Sequence, residues 1–201
     1  MKSTTPSEIP QLAPPGAGIP WASKLVLRLF VGPFVSAKAP WEVSKAQAEK
    51  VHAKILKEIE GLSDLQMQTR VLVPPQRGLE DSSRYWSIAM VLEHIVIVGD
   101  QIFQLIPALS NGIVPPGKAD TALVKPVGEI SVQQSVADFK KYSTTDFVKL
   151  NSLIKDKNSK TKFKHPWFGN MNAQQWYWLI SIHAGLHLKQ IREIKKRLEF
   201  L

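Results

Sequence analysis

The chain has 201 residues, no cysteine, and a formal net charge of +9 at neutral pH. Without thiols it can form no disulfide, no thiolate metal site and no cysteine nucleophile. Its 44% apolar and 21% charged residues predict one globular domain with a substantial core. The excess positive charge would suit nucleic acid, a membrane surface or an acidic ligand, although scattered lysines more often form a solvated surface.

The first 35 residues are predicted to be an arm with one short helix, and residues 36–201 to form the main domain. Prolines are frequent in the first 20 residues, so we expect an extended chain there and no helical secretory signal. A short helix is predicted over 21–31, ended by Gly32 and Pro33 and docked on the body. A surface-lying amphipathic segment is the alternative. We expect no transmembrane segment, and a cytoplasmic location by default.

Four long helices are predicted from apolar residues that recur every three or four positions. The second is apolar on almost every side, which is typical of a buried helix, and its length favours a helix over a strand. The third and fourth each begin with a sequence that resembles a capping box. The predicted spans are Trp41–Leu62, Ser87–Leu109, Ser131–Leu153 and Asn172–Glu199. The connections are predicted to be loops without strand pairing, so the fold class is an all-α four-helix bundle.

Three histidines lie on two helices that are predicted to face the core. His183 and His187 are four residues apart and therefore share one face of the fourth helix. His94 lies within the most apolar helix, where an unpaired imidazole would cost about 1–3 kcal/mol. Each could be an ordinary core histidine, His94 bonded to a carbonyl or to Gln101. Together they are better explained as a metal site between facing helices, with coordination positions left open for water or substrate.

Other polar and aromatic residues are predicted to support this site. Gln101 and Gln190 are expected to orient the histidine ligands through hydrogen bonds. His52 and His165 are interpreted as structural or surface residues. We assign no carboxylate as a general base. Glu93 is next to His94 in the helix, so its side chain points about 100° away from that of His94. The aromatic residues near these motifs are expected to pack the core, with a pocket lining above the metal as the alternative. They are Trp86, Trp167, Trp176, Tyr177 and Trp178.

A family resemblance rests on the order of these motifs. They are the run Arg84–His94 (R-Y-W-S-I-A-M-V-L-E-H), the run His165–Met171, then Gln175-Trp176, and finally His183-x-x-x-His187-x-x-Gln190. This order resembles the DinB-like (YfiT-like) superfamily of metalloenzymes over residues 40–199. The resemblance implies a bundle of the up-up-down-down type that holds one divalent ion with His94, His183 and His187. It also implies chemistry related to transferases that use low-molecular-weight thiols.

The leading functional hypothesis is a metal-dependent enzyme that acts on a small-molecule substrate. A zinc, nickel or iron ion would activate water, as in a hydrolase, or a low-molecular-weight thiol, as in a transferase. One alternative is a bundle whose metal is structural. Another is a basic binding module for nucleic acid or an acidic surface, which the lack of any nucleic-acid motif disfavours. The lysines between Lys155 and Lys164 and the run Lys195–Arg197 would form that module. A homodimer is left open.

Overall fold

The computed structural model describes residues 10–199. The predictions for residues 1–9 and for the last two residues lie outside this part of the chain. The helices are α1 Trp21–Val26, a π-helix Leu27–Val35, a 3-10 turn Ser36–Lys38, α2 Trp41–Ile59, α3 Asp64–Gln68, a 3-10 turn Asp81–Ser83, α4 Ile88–Ser110, α5 Val132–Lys141, a π-helix Tyr142–Asp146, α6 Phe147–Leu153 and α7 Ala173–Leu198. The strands are β1 Val71–Leu72, β2 Tyr85–Trp86, β3 Lys162–His165 and β4 Gly169–Asn172.

Four helical rods form the bundle: α2, α4, the continuous α5–π–α6 rod, and α7. The prediction of an all-α four-helix bundle is therefore confirmed. Two apolar clusters fill its core, one at each end. One contains Ile59, Ile88 and Ile194, and the other contains Leu109, Leu150 and Trp176. Burial of these side chains supplies the main favourable free energy of folding.

The directions of the rods follow from the order in which each one passes the two clusters. α2 and α7 run from the Trp176 cluster to the Ile59 cluster, whereas α4 and the α5–α6 rod run the opposite way. The order is thus up-down-down-up, which corrects the up-up-down-down order implied by the resemblance. Two consecutive rods that run in the same direction need a long connection between them. Residues 111–131 form this crossover between α4 and α5.

Helix starts follow the predicted capping chemistry. Ser87 accepts a hydrogen bond from the Met90 amide, and Ser131 accepts one from the Gln134 amide. Asn172 forms a complete capping box with Gln175 at the start of α7. These bonds satisfy amides that have no partner within the helix, so short polar residues fix where the long helices begin.

The chain departs from the prediction in several places. The short helix α3 lies in a connection that was predicted to be a loop. Two short antiparallel hairpins, β1–β2 and β3–β4, occupy regions predicted to be loops without strand pairing. Helical backbone continues past Gly32 and Pro33 as a π-helix, whose wider turn accommodates the proline that lacks an amide hydrogen. The third rod is interrupted by the π-helix Tyr142–Asp146, where the Tyr142 ring packs directly on the bare Cα of Gly99.

Within the described residues, α4 is the one helix whose length and composition would allow it to cross a membrane. However, 56% of its most apolar window is buried inside the protein. This is what the central helix of a bundle requires, since a helix that is apolar on all sides must be covered by its neighbours. The division between residues 1–35 and 36–201 stays a prediction.

Candidate metal centre

The three predicted histidines meet between α4 and α7. His183 Nε2 lies 3.2 Å from His94 Nε2 and 3.2 Å from His187 Nε2. The two helices run antiparallel, so the first half of α4 lies beside the second half of α7. The spacing of four residues then places both α7 imidazoles opposite His94. One ligand atom from each ring lies within 4.8 Å of the others, which makes the cluster a candidate metal site.

Two of the rings are oriented through their Nδ1 atoms. His94 Nδ1–H donates to the Val124 carbonyl oxygen at 2.6 Å, and His187 Nδ1–H donates to Gln190 Oε1 at 2.8 Å. Since both partners are acceptors, the Nδ1 atoms carry the protons and the Nε2 lone pairs are left free. Gln190 is in turn fixed because its Nε2 donates to the Ser83 carbonyl oxygen at 2.7 Å.

All three imidazoles are held in the neutral form that binds metals. Burial lowers the pKa of His94 well below its ordinary value, and the neighbouring His187 adds to this. Burial likewise lowers the pKa of His183, with further contributions from His187 and His94. The pKa of His187 falls to about 4, again because of burial, although its bond to Gln190 opposes the shift. Metal binding at neutral pH would therefore displace few protons from these rings.

The donor set fits one divalent ion. Zinc–imidazole bonds are about 2.0–2.1 Å long, so two neighbouring ligands of one tetrahedral or octahedral ion lie about 2.8–3.4 Å apart. The separations of 3.2 Å fall within that range. The Nε2 atoms of His94 and His187 both present lone pairs towards His183. A single ring hydrogen on His183 Nε2 could bond well to only one of them, whereas a cation would satisfy all three.

The crossover segment covers one side of the cluster. Glu93 accepts hydrogen bonds from the amides of Val127 and Gly128 at 3.1 and 3.0 Å, which fixes the segment that carries the Val124 carbonyl. Lys125 forms an ion pair with the buried Glu80. The prediction that Glu93 faces away from His94 agrees with these bonds. The residue next to a ligand thus holds the backbone that orients that ligand.

An aromatic ring packs against two of the three imidazoles. The Trp86 ring stacks on His187 with an interplanar angle of 16° and lies 5.0 Å from the His94 ring centroid. Lys125 Nζ lies 5.6 Å from the centre of the Trp86 ring. The bulky ring limits the motion of the two imidazoles it touches, and it shields them from water.

A cavity of about 1230 Å³ opens beside the three rings, and all three line it. Much of its wall is apolar or aromatic, and its cations outnumber its carboxylates. The aromatic lining residues are Phe163, Trp167, Phe168 and Trp176; the charged ones are Arg77, Glu80, Lys118, Asp120, Lys125 and Lys189. The space is large enough for a sizeable organic molecule.

The predicted supporting residues fare differently. Gln190 contacts His187 as expected, whereas Gln101 is exposed on the cavity wall and the bond to His94 comes from Val124 instead. Val124 and Ser83 were missed because they act through their backbone carbonyl oxygens, which every residue has, so the side chain gives no signal. Glu80 was also missed as a buried carboxylate lining the cavity, because its burial depends on Lys125, which lies 45 positions further on.

The two remaining histidines lie outside the cluster. His165 ends β3 and accepts hydrogen bonds from the amides of Trp167 and Phe168, so it stabilises the hairpin turn beside the cavity. His52 is buried against aromatic rings on α5 and α6. Neither is near enough to the three clustered rings to share an ion with them, and their interpretation as structural or surface residues stays a prediction.

Comparison with known proteins now decides the family. The sequence profile of the DinB superfamily matches residues 47–191, a range that includes all three histidines. The chain belongs to the DinB superfamily. A solved structure described as TT2238, a four-helix bundle protein, is similar in fold with a TM-score of 0.54 and 18% sequence identity. The alignment covers 76% of this chain and 98% of TT2238. A search of curated proteins gave no match.

Proposed function

We propose that this member of the DinB superfamily is a metal-dependent enzyme in which His94, His183 and His187 bind one divalent ion. The observation that carries the proposal is the convergence of three neutral Nε2 atoms beside a cavity of about 1230 Å³. Three protein ligands leave coordination positions for water or substrate, which is the pattern of catalytic sites, while structural sites are usually closed by a fourth ligand. Zinc, nickel and iron all suit imidazole donors.

The chemistry would combine a Lewis acid with a shaped, largely apolar pocket. A divalent ion held by three imidazoles supplies the charge that lowers the pKa of a water or a thiol and so makes a nucleophile at neutral pH. Val124 and Gln190 keep the ligand rings in the correct tautomer. Trp86 packs against His94 and His187, and the lower polarity on that side would strengthen the electrostatic interactions of the site.

Between the two reactions, the surroundings favour transfer with a low-molecular-weight thiol over hydrolysis. Hydrolysis usually needs a carboxylate or imidazole that is free to act as general base. The buried carboxylate on the cavity wall, Glu80, already accepts hydrogen bonds from Lys125 and from Thr121. The excess of cations along the wall would suit a small-molecule substrate or thiol with acidic groups.

Metal analysis of protein purified without a histidine tag tests the proposal. We expect about one tightly bound ion per chain in the wild type and close to none in His94→Ala, with helicity by circular dichroism retained. His165→Asn is the matched control, since it changes a half-buried histidine that lines the same cavity without belonging to the cluster. An unchanged metal content in His94→Ala would overturn the proposal.

A structural role for the metal is the main alternative, and chelation separates the two. The apolar clusters at both ends of the bundle would keep a metal-free protein folded if the ion were catalytic. Cooperative unfolding on addition of a chelator would instead support a structural ion.

We do not propose that the basic residues bind nucleic acid. The C-terminal cations are paired within the protein: Lys195 with Glu58, and Lys196 and Arg197 with Glu193. A gel-shift assay at physiological salt is expected to show no binding to DNA. A cytoplasmic location and a homodimer stay predictions.

A further inference from the structure

The helical segment from Trp21 to Val35, here named the apolar segment, exposes many large hydrophobic side chains. The exposed ones are Trp21 (78%), Leu25, Val26, Leu29, Phe30 (59%), Phe34 (60%) and Val35. Single exposed hydrophobic residues are common, but so many on 15 consecutive residues form a patch. Such patches on a folded protein indicate a surface that binds a protein, a membrane or a ligand.

The apolar segment is held on the bundle by specific contacts, although its large side chains are exposed. Leu27, Val31 and Gly32 on its other side face the bundle, as does Ser36, which directly follows the segment. Gly32 lies against the Phe168 carbonyl oxygen so closely that a side chain would not fit. Gln175 Nε2 donates to the Gly32 carbonyl oxygen at 2.8 Å and to Ser36 Oγ at 2.9 Å. These contacts hold the segment in one orientation, with its large side chains directed to solvent.

The charges around the patch select its partner. Residues 9–41 contain no Asp or Glu, whereas Lys24, Arg28 and Lys38 are all exposed. The β3–β4 hairpin, against which the segment packs, adds the exposed Lys162 and Lys164. A symmetric dimer through this face would bring two sets of cations together, and the segment offers no acidic residue to pair with them. An anionic partner with an apolar interior fits both properties.

We propose that the apolar segment docks this protein on the surface of an anionic lipid membrane, lying in the plane of the interface. Aromatic and aliphatic side chains on one face, with lysine and arginine beside them, are the features of helices that insert shallowly between headgroups. The segment also forms part of the cavity wall, through Ala22, Ser23, Val26 and Leu27. Docking would therefore place the cavity beside the lipid, where apolar molecules concentrate. The proposal does not depend on the metal.

Vesicle co-sedimentation of the full chain tests the proposal. The vesicles contain phosphatidylcholine, either alone or with about 30 mol % phosphatidylglycerol, enough to give the negative surface that cations recognise. We expect binding to the anionic vesicles that weakens with salt, and much weaker binding to the neutral ones. Phe30→Ser/Phe34→Ser should reduce the affinity about tenfold or more, since both rings lose their burial in lipid. Lys24→Gln/Arg28→Gln should reduce it by a similar factor on anionic vesicles only.

The matched control is Leu65→Ser/Val148→Ser, which removes two exposed hydrophobic side chains from α3 and α6. It should retain wild-type affinity, and thermal unfolding should show that all variants are folded. Absence of vesicle binding by the wild type, or equal loss in the control, would overturn the proposal. A wild-type dimer that becomes a monomer in Phe30→Ser/Phe34→Ser, without vesicle binding, would assign the surface to a second copy instead and equally overturn it.

Discussion

Two buried histidine environments lie within the same bundle and differ in what their ring nitrogens meet. In the metal centre, the Nδ1 atoms of His94 and His187 are bonded to Val124 and Gln190, and the Nε2 atoms converge beside a cavity. Around His52, three aromatic rings lie 5.3–5.9 Å away, centroid to centroid. Within the described residues, neither nitrogen of His52 has a hydrogen-bond partner.

The difference shows that burial alone does not make a histidine a ligand. Burial lowers the pKa of His187 and of His52 to about 4 in both places. What distinguishes the metal centre is a fixed tautomer, a common focus of lone pairs and access from a cavity. His52 has none of these features, so it behaves as an apolar group with an unsatisfied polar edge.

The largest effect is expected from removing the central ligand of the cluster. His183→Ala should weaken binding of zinc or nickel by about a thousandfold or more, on the order of 4 kcal/mol, because the ion would lose one of its three protein ligands. Competition with a chelator of known affinity measures this. His52→Leu, a change at the other buried histidine, should bind metal as the wild type does. Equal losses in both variants would show that the comparison is wrong.

A smaller effect, about 3 kcal/mol, is expected from the titration of His52. Its pKa is about 4 in the folded protein, lowered by burial, and about 6.5 when unfolded. The unfolded state therefore binds more protons between these values, so this contribution is complete above pH 6.5 and is lost as the pH falls towards 4. His52→Leu should lack that loss, and its stability relative to wild type should grow by about 3 kcal/mol over this range. Urea denaturation at several pH values measures it.

Ser44→Ala serves as the control for the His52 prediction. The Ser44 hydroxyl is also buried without a partner in the described part of the chain, but it does not titrate. Its replacement should change the free energy of unfolding by an amount independent of pH. If the difference in the free energy of unfolding between His52→Leu and the wild type were also independent of pH, the loss of stability in acid would not come from His52.

The orienting glutamine should have a more modest effect. Gln190→Leu removes the acceptor for His187 Nδ1–H and the donor to the Ser83 carbonyl. We expect metal affinity to fall 10–100-fold, or about 1.4–2.8 kcal/mol, as is usual when a ligand loses its supporting hydrogen bond. Gln174→Leu on the same helix, whose side chain donates to the Ala39 carbonyl, should leave the affinity unchanged. Wild-type metal affinity in Gln190→Leu would show that Gln190 does not fix the tautomer of His187.

The smallest effect concerns the backbone between two ligands. Gly185 lies between His183 and His187, and a methyl group there would meet nothing within 4 Å. Gly185→Ala should raise the free energy of unfolding by about 0.5–1 kcal/mol through helix propensity and leave metal affinity intact. Gly99→Ala in α4, where the Tyr142 ring fills the space, should instead destabilise the protein. Thermal unfolding with and without metal distinguishes the two glycines.

Much of the bundle was predictable because its signals are local. Apolar periodicity located the four rods, and Ser87, Ser131 and Asn172 marked three of the helix starts to within a residue. The three histidines were identified in the same way, from one apolar helix and one spacing of four. The predicted end of the short N-terminal helix was wrong. A π-helix accommodates Pro33, and the Gly32 carbonyl accepts a hydrogen bond from Gln175, which lies 143 positions further along the chain.

The amino-acid sequence by itself determined the four long helical rods, where each of them begins, and which imidazoles share a helix face. Periodicity and capping act over a few residues, so they can be read without coordinates. Only the tertiary structure decided the up-down-down-up order, the crossover that brings the Val124 carbonyl to His94, and the burial that keeps the rings neutral. These features depend on residues distant in the chain, whose positions follow from how the rods pack against one another.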